Sequence, residues 1–515
     1  MKLRIFLFSL FVNNVYSIDT LIGDRLGKKV LFYVPTLSFS HVAFNQRIAK
    51  SLIDKGFRVT TILPDIDPFV NLNSFNNSKK MRIDVGLNNG LLPQTLWSNP
   101  GPFEDSSPLN PRILNKLIEV SKLMTQGCES LVNNKQLIHN LIKENYTLGF
   151  VEQYDACGLG LFKAIGITNI HWLSATNIYR IQPEKMGINY PLSYVSELFS
   201  PFGDVMTFHE RILNLLTGMV TEAVQTYFAK CRVTSIFKDA FPKQMGNINS
   251  VLEVASLSRS VISNNLPLLD FPSPTSNILR NVGGITLERK IKKLSTQFES
   301  IVSRTNGFWL ITFGSIAKTS DMPFNMKYSL FKAFQKFPNQ TFILKYEDQI
   351  ENIKQYSSNV YLVKWLPQLE LMSHPKYLGL ITHGGWSSML ESLINAKPMI
   401  LMPLFADHGK NTQIFVTKKL AIAIDKMDVT PQTFTDALNQ LITNPVYENN
   451  CKRYALMLQH SSPIDSDKQI VHAVQKSLKE SKWRGEQIKL VPLENLYYFD
   501  FLIVIGIITV CVYQK

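Results

Sequence analysis

The sequence has few cysteines, and their spacing does not suit a metal site. Its 515 residues include five cysteines: Cys128, Cys157, Cys231, Cys451 and Cys511. None of them forms the closely spaced pairs that zinc ligands show, so neither a zinc site nor a disulfide scaffold is expected. The sequence also lacks Gly-x-Gly-x-x-Gly after its first predicted strand, where residues 35–40 stand instead. This excludes a nucleotide-dependent oxidoreductase.

Long runs of one charge are missing as well. The chain has 54 Lys and Arg residues against 40 Asp and Glu residues, a formal net charge of +14. Its densest basic segments, residues 289–293 and 476–489, are mixed with glutamate and apolar residues at helical spacing. This is typical of solvated helix faces and gives no reason to expect a nucleic-acid partner. With 45% hydrophobic and 18% charged residues, the chain is typical of a globular protein with two domains of about 200 residues each.

Both ends of the chain carry apolar segments. Basic residues, an apolar stretch and the small Ser17 follow one another over residues 1–17, the layout of a cleavable secretory signal. Residues 496–513 are predicted to form a transmembrane anchor that leaves the bulk of the chain in a lumen. They are short against the roughly 20 residues of a bilayer helix, and a buried amphipathic helix is the alternative. Three Asn-x-Ser/Thr sequons are compatible with a lumenal chain: Asn76, Asn145 and Asn339.

Predicted strands and helices alternate in two separate series. The first begins with a strand over residues 29–35 and a helix over residues 41–55, in which Phe44, Ile48 and Leu52 recur every four residues and mark one buried face. The second series begins with a strand over residues 308–313. Alternation of this kind predicts an α/β fold with parallel sheets.

The segment between the two series is predicted to be a linker. Residues 267–284 are rich in Pro, Ser and Asn, and prolines at three positions oppose regular structure. We therefore predict two Rossmann-like domains, residues 18–266 and residues 285–490, whose parallel sheets face a cleft. Ligands of open α/β sheets bind in such a cleft, beyond the carboxyl ends of the strands.

A glycine-rich turn follows the strand predicted to end at Thr382. His383 and two glycines lead into a helix predicted to begin after Gly385, where unpaired N–H groups and the positive end of the helix dipole suit a diphosphate. On the first turns of this helix, Glu391 could accept hydrogen bonds from both ribose hydroxyls. A simple interaction with the helix dipole is the alternative for this residue.

Two neighbouring motifs favour the nucleotide-binding interpretation. Trp365 and Gln368 lie upstream, where an indole can stack on uracil while an amide reads the polar edge of the base. Asp407 follows a predicted strand end and can hold sugar hydroxyls. Together with the glycine-rich turn, these motifs predict a nucleotide-sugar pocket between Trp365 and Asn411.

The order of these motifs resembles that of a known family. Along the chain they read Trp-x-Pro-Gln, His-Pro, Thr-His-Gly-Gly, Glu, Pro-Leu-Phe-x-Asp and Asn. This resembles the UDP-glycosyltransferases of family 1, and among them the animal microsomal UDP-glucuronosyltransferases and glucosyltransferases. The resemblance covers nearly the whole chain. It implies the GT-B fold, sugar transfer from a UDP-sugar to a small lipophilic acceptor, no metal or other cofactor, and a lumenal, single-pass membrane protein of the endoplasmic reticulum.

The resemblance also implies which residues hold the donor. Trp365 and Gln368 would bind the base, and Glu391 would bind the ribose. The diphosphate would be held by residues of two glycine-containing turns: Gly314, Ser315, His383, Gly385, Ser387 and Ser388. Asp407 and His408 would bind the sugar.

Inverting transfer also needs a base that takes the proton of the acceptor hydroxyl. Histidine suits this role because its pKa lies near neutrality, and His41 follows Ser40 in the predicted loop after the first strand, facing the cleft. A carboxylate should orient the ring. The family places an Asp about five residues before the position of Cys157, where this chain has Glu152. We favour Glu152 as the partner and keep Asp155 as the alternative.

Two positions depart from the family pattern. His408 stands where the family usually has Gln, so the transferred sugar could be glucuronosyl, glucosyl or galactosyl, and our hypothesis is a preference away from UDP-glucuronate. Ala396 stands where Gly is common, which costs little unless the residue needs a positive φ.

Some properties stay open at the level of the sequence. Because Glu152 replaces the usual Asp, a catalytically silent UDP-sugar-binding protein is the alternative to an enzyme. The acceptor is expected to bind the loops at residues 65–110 and 178–218, which are partly apolar and do not identify it. The oligomeric state is not fixed, and a homo-oligomer is compatible with the sequence.

Overall fold

The computed structural model describes residues 27–67, 70, 78–85, 101–106, 110–287, 292–348, 358–460 and 466–480. The predicted signal peptide over residues 1–17, the predicted anchor over residues 496–513 and the sequon at Asn76 lie outside these residues. Asn145 and Asn339 lie inside them, and both are exposed. Across the described ranges, no helix is both long and apolar enough to span a bilayer.

The central strands of the first sheet are buried on both faces, whereas the edge strand β3 is mostly exposed. In β1 (Lys29–Tyr33), for example, every residue after Lys29 is buried. The strands pair in parallel, in the order β3-β2-β1-β4-β5-β6-β7. The other strands of this sheet are β2 (Arg58–Pro64), β3 (Lys79–Ile83), β4 (Leu148–Glu152), β5 (Ile170–Ser174), β6 (Ser258–Ser263) and β7 (Leu279–Asn281).

Helices cover this sheet. In α1 (Phe39–Ile53), Phe44, Ile48 and Leu52 are all buried, which confirms the predicted face. The helix begins two residues before His41, because Ser38 takes the extended N-cap conformation. The other helices are α2 (Pro111–Asn133), α3 (Lys135–Glu144), α4 (Cys157–Ala164), α5 (Ile181–Lys185), α6 (Phe208–Tyr227), α7 (Thr234–Ala240) and α8 (Pro242–Met245), with a π segment at Phe228–Val233 and a 3₁₀ segment at Val251–Leu257.

The second sheet is also parallel, in the order β10-β9-β8-β11-β12-β13. Its strands are β8 (Phe308–Thr312), β9 (Thr341–Lys345), β10 (Val360–Val363), β11 (Tyr377–Thr382), β12 (Met399–Leu401) and β13 (Ala421–Ala423). Its helices are α9 (Thr296–Ser303), α10 (Phe324–Gln335), α11 (Gln368–Met372), α12 (Trp386–Ile394), α13 (His408–Thr417), α14 (Pro431–Thr443) and α15 (Pro445–His460), with short 3₁₀ turns at Thr319–Asp321 and Lys426–Asp428. Two parallel Rossmann-like sheets are therefore confirmed.

The domain boundaries differ from the predicted ones at two places. Part of the predicted linker over residues 267–284 forms β7, which pairs with β6 and so extends the first sheet. Helix α16 (Ser466–Glu480) lies in the range assigned to the second domain but packs on the first. Its Ile470 and Val474 join the core beneath α1, and Asp467 forms an ion pair with Arg47 on that helix. The chain therefore returns to the first domain.

A disulfide joins two elements of the first domain. Cys128 in α2 and Cys157 at the start of α4 are bonded, with 5.7 Å between their Cα atoms and 29 residues between them in sequence. The cysteine spacing gave no sign of this bond, because the packing of α2 against α4 creates the proximity. Cys231 and Cys451 are free.

Helix α12 ends on a residue with left-handed backbone. Ala396 has φ 57°, a positive value at which any side chain beyond glycine is unfavourable. The amide of Ala396 bonds to the carbonyl of Leu393, and the amide of Lys397 bonds to that of Ser392. These two bonds form a helix-ending turn in which glycine is the usual residue.

Candidate functional site

A cleft of about 1950 Å³ lies at the carboxyl ends of the strands of both sheets. His41 and all of the predicted donor residues line it, whereas Glu152 and Asp155 do not. On the side of the first domain the wall contains an apolar part, with Leu117, Val120 and Phe199 among its residues, beside polar side chains such as Arg47 and Lys116. The cleft thus brings the glycine turns of the second domain opposite a partly apolar wall of the first.

The predicted base lies in the first turn of α1 rather than in a loop. His41 Nδ1 is 3.6 Å from Glu152 Oε1, and the side chains are 17% and 0% exposed. Nδ1 is buried and has no hydrogen-bond partner. Because Glu152 is the last residue of β4, its carboxylate reaches the end of the sheet directly behind the imidazole.

The carboxylate of Glu152 is held from three directions. Asn45 Nδ2 donates to Oε2 over 2.6 Å and also donates to the carbonyl of His41 over 2.8 Å. The amides of Ala175 and Gln153 donate to Oε1. The sequence did not single out Asn45, although its position four residues after His41 puts both on one face of the helix.

Asp155 is engaged elsewhere. Its Oδ1 accepts from the amide of Cys157 over 2.8 Å at the start of α4, and its Oδ2 accepts from the hydroxyl of Tyr33 over 3.1 Å. Burial raises the pKa of Asp155 to about 6. Of the two predicted partners, the structure therefore brings only Glu152 to His41.

His383 lies between the two glycine turns. A Cβ atom on Gly385 would come within 2.5 Å of its Nε2 atom, and one on Gly314 within 2.8 Å, so neither position has room for a side chain. Gly314 also has φ 89°. Burial lowers the pKa of His383 to about 4, which makes the ring neutral at physiological pH. Lys345, which the sequence did not single out, donates to the carbonyl of Gly314 over 2.7 Å.

The proposed ligands of the uracil and of the ribose lie close together around the start of α12. Gly385 takes the N-cap position of this helix, and no side chain caps it, so its first N–H groups face the cleft wall. Gln368 Nε2 donates to Ser388 Oγ over 3.2 Å and to Glu391 Oε2. Trp365 is 74% exposed, which leaves its indole open for stacking.

Asp407 and His408 begin α13 at the other end of the same wall. Asn411 Nδ2 donates to Asp407 Oδ2 over 2.8 Å. Burial raises the pKa of Asp407, and His41 is close enough to oppose this shift. His408 Nδ1 accepts from the amide of Phe405 over 3.3 Å, and its ring packs edge-on against that of His383, with 4.6 Å between the centroids. Burial lowers the pKa of His408 well below its usual value.

A second lysine that the sequence did not single out lies beside His408. Lys426 is 6% exposed and donates to the carbonyls of Leu404 and Pro102 and to Ser106 Oγ. Pro102 and Ser106 belong to the first domain. No sequence signal marks such a residue, because its partners come from both domains. In the described part of the chain, no group of three or more His, Cys, Asp or Glu side chains is arranged to hold a metal ion.

Solved structures of glycosyltransferases share this fold. One is Phytolacca americana UGT2 in complex with UDP-2fluoro-glucose and pterostilbene, with a TM-score of 0.56 and 15% sequence identity. The match covers 88% of this chain and all (100%) of that one. At this identity the likeness shows the fold alone, which is the GT-B arrangement of two Rossmann-like domains.

Sequence comparison identifies the family. Putative UDP-glucuronosyltransferase ugt-48 of Caenorhabditis elegans is 26% identical over 94% of this chain and 93% of its own length. UDP-glucuronosyltransferase 1A9 of Mus musculus is 26% identical over 86% of this chain and 82% of its own. The family model described as UDP-glucoronosyl and UDP-glucosyl transferase matches residues 28–476. The chain therefore belongs to this family of UDP-dependent glycosyltransferase enzymes.

Proposed function

We propose that the enzyme transfers a hexosyl group, with inversion, from a UDP-sugar to a hydroxyl of a small lipophilic acceptor, with His41 as the general base. The observation that carries the proposal is the position of His41. Its ring has the buried carboxylate of Glu152 behind it and lines the same cleft as Asp407, which belongs to the second domain. A proton acceptor on one domain thus faces the proposed sugar ligand on the other.

In this mechanism the acceptor hydroxyl loses its proton to Nε2 of His41 while its oxygen attacks the anomeric carbon. The bond from that carbon to the UDP oxygen breaks, and UDP leaves on the opposite face. The ring must carry its other proton on Nδ1, where Glu152 is the nearest acceptor. The separation of 3.6 Å is longer than a hydrogen bond, and such contacts often tighten only when substrate is bound.

The donor wall supports binding of UDP. Trp365 would stack on uracil, Gln368 would bond to its edge, and Glu391 would hold the ribose. The uncapped start of α12 would stabilise the diphosphate as negative charge develops on UDP. Further contacts to the diphosphate would come from the two turns and their neighbours: Gly314, Ser315, Lys345, His383, Gly385, Ser387 and Ser388. No step of this scheme uses a metal ion.

Asp407 and His408 would bind the transferred sugar, and we propose that the preferred sugar is uncharged. His408 Nδ1 accepts from a backbone amide, so its Nε2 carries the proton and offers one donor to a sugar hydroxyl. Because burial lowers the pKa values of His408 and His383, neither ring supplies a positive charge to a uronate. For the acceptor, the apolar part of the first domain's wall and the pterostilbene bound by the plant enzyme favour an aromatic or steroid alcohol.

The proposed setting is the lumen of the endoplasmic reticulum, with the chain anchored through residues 496–513. The apolar segments at both ends of the sequence support this placement, as does the exposure of Asn145 and Asn339. Glycosidase treatment of microsomes that contain the full chain, followed by a mobility assay, tests it. Unchanged mobility together with extraction by carbonate would contradict the proposal.

A donor screen tests the proposed reaction. The full chain is incubated with a phenolic or steroid acceptor and UDP-glucose, UDP-galactose or UDP-glucuronate in turn, and products are detected by mass spectrometry beside the His41→Ala variant. We expect a hexoside that disappears in the variant. A product that His41→Ala still forms at the wild-type rate would reject the base. Clear preference for UDP-glucuronate, unchanged in His408→Gln, would reject the proposed sugar.

A further inference from the structure

Three consecutive residues at the start of α13 contact the first domain: Gly409, Lys410 and Asn411. They directly follow Asp407 and His408, the proposed sugar ligands. Their partners in the first domain all lie in one segment, residues 177–201, which follows β5. We call these contacts the interdomain joint.

Gly409 allows the closest approach at this joint. A Cβ atom on Gly409 would lie 3.1 Å from both Cα and Cβ of Pro201, which is tighter than nine in ten real contacts of this kind. Gly409 lies within a helix and has no positive φ. Because glycine in a helix costs about 0.5–1 kcal/mol relative to alanine, the approach of Pro201 is the physical reason for glycine here.

Polar groups hold the joint on either side of this contact. Lys410 is 2% exposed, and its Nζ donates to the carbonyl of Ser196 over 2.9 Å. Burial raises the pKa of Glu197, and the charges of Arg180 and then Lys410 oppose this shift. Asn411 Oδ1 accepts from Asn177 Nδ2 over 3.3 Å. A buried lysine is expensive to desolvate, so its retention at a domain contact indicates a specific role.

On both sides of the joint, hydrogen bonds connect its residues or their near neighbours to the proposed reacting groups. On the second domain, the other end of the Asn411 amide donates to Asp407. On the first domain, Ala175 lies two residues before Asn177 and donates its amide to Glu152, the proposed partner of His41. A few residues on each side therefore connect the base to the sugar.

We propose that Gly409, Lys410 and Asn177 are positioning residues that fix the separation between His41 and the sugar held by Asp407 and His408. This inference rests on the proposed function, in which the base and the sugar ligands belong to different domains. A displacement of about 1 Å between reacting groups can cost about 100-fold in rate. None of the three is the proposed base or a proposed ligand of UDP, although Gly409 lines the cleft, so we expect them to act on the rate and not on the binding of UDP.

Two variants of the full chain test the proposal. Lys410→Met keeps an unbranched side chain, one atom shorter, and removes the N–H donors, whereas Gly409→Ala inserts a Cβ against Pro201. In each variant we expect kcat to fall by about 10- to 100-fold. The dissociation constant of UDP should stay within about twofold of wild type, because its proposed ligands lie on other elements. The pH dependence of kcat should keep its midpoints, because His41 and Glu152 remain in place.

Lys397→Met is the matched control. Lys397 pairs with Glu448 at 2.9 Å within the second domain, away from the joint, and its loss should leave kcat unchanged. Retention of kcat within twofold in both joint variants would overturn the inference while leaving the proposed function intact. Weakening of UDP binding in proportion to the loss of kcat would also overturn it, since the donor pocket itself would then be damaged. A wild-type chain that transfers no sugar from any donor would overturn the proposed function.

Discussion

Replacement of Glu152 by glutamine removes the charge behind the proposed base with little change in size. In the structure, Glu152 Oε1 lies 3.6 Å from His41 Nδ1, and the carboxylate is fully buried. When His41 takes the proton of the acceptor, the ring becomes positively charged next to this carboxylate. The Glu152→Gln variant must reach the same transition state without that interaction.

The size of the effect follows from the distance. Two unit charges 3.6 Å apart interact by about 4 to 5 kcal/mol at an effective dielectric constant of about 20. Because each 1.4 kcal/mol corresponds to about tenfold in rate, complete loss would slow the reaction by about 1000-fold. His41 is 17% exposed, and water in the cleft recovers part of the loss. We therefore expect turnover to slow by about 100- to 1000-fold.

The assay measures UDP release at saturating donor and acceptor for Glu152→Gln, Glu152→Asp and Asp155→Asn. Glu152→Asp keeps the charge, with one methylene fewer, and should lose about tenfold. Asp155→Asn changes a carboxylate that bonds to Tyr33 and to the backbone, not to His41, and should stay within about threefold of wild type. Calorimetric binding of UDP checks that each donor site is intact. A near wild-type rate for Glu152→Gln, or a slow Asp155→Asn variant, would show that Glu152 does not act on His41 during turnover.

Three further predictions concern stability. The pKa of Asp155 is about 6 in the folded state and about 4 in the unfolded state. The residue therefore stabilises the fold at low pH and loses that contribution as the pH rises through 6. In urea denaturation, the unfolding free energy of Asp155→Asn should rise relative to that of wild type by up to about 3 kcal/mol between pH 4 and pH 7. The double variant Cys128→Ser, Cys157→Ser should have an unfolding free energy lower by about 3 to 4 kcal/mol, because the disulfide closes a loop of 29 residues. Reduction of the wild-type disulfide should lower the unfolding free energy by the same amount. Ala396→Gly should raise it by about 0.5 to 1 kcal/mol, because Ala396 has φ 57°, and a lower melting temperature would contradict this.

The elements of the two sheets could be predicted because their patterns are strong and local. Strands such as β1 and β8 are short apolar runs buried on both faces, and α1 shows its buried stripe directly in the sequence. The predicted bounds agree with the structure to within about two residues. The strand over residues 279–281 was not predicted. Three residues are too few to show a strand pattern, and the prolines and serines nearby indicated a linker. The pairing of β7 with β6 decides its conformation.

Contacts between residues far apart in the sequence limited how much of the site could be predicted. The sequence narrowed the partner of His41 to two carboxylates, because both lie near the end of β4. It favoured Glu152 and kept Asp155 as the alternative, because the outcome depends on the turn after Glu152, which directs Asp155 to the start of α4 and to Tyr33. Lys426 carried no signal at all, because two of its three partners, Pro102 and Ser106, lie more than 300 residues away in the first domain.

Lys426 bears on the identity of the sugar, because it is a cation next to His408. Its ammonium group already donates to Leu404, Pro102 and Ser106, and burial lowers its pKa to about 8. The negative charges of Asp105, Asp425 and Glu104 oppose that shift. A uronate would have to displace one of these bonds while its carboxylate lies near Asp407. An uncharged hexose needs only hydrogen bonds, which Asp407 and the Nε2–H of His408 can supply, and this supports the proposed preference.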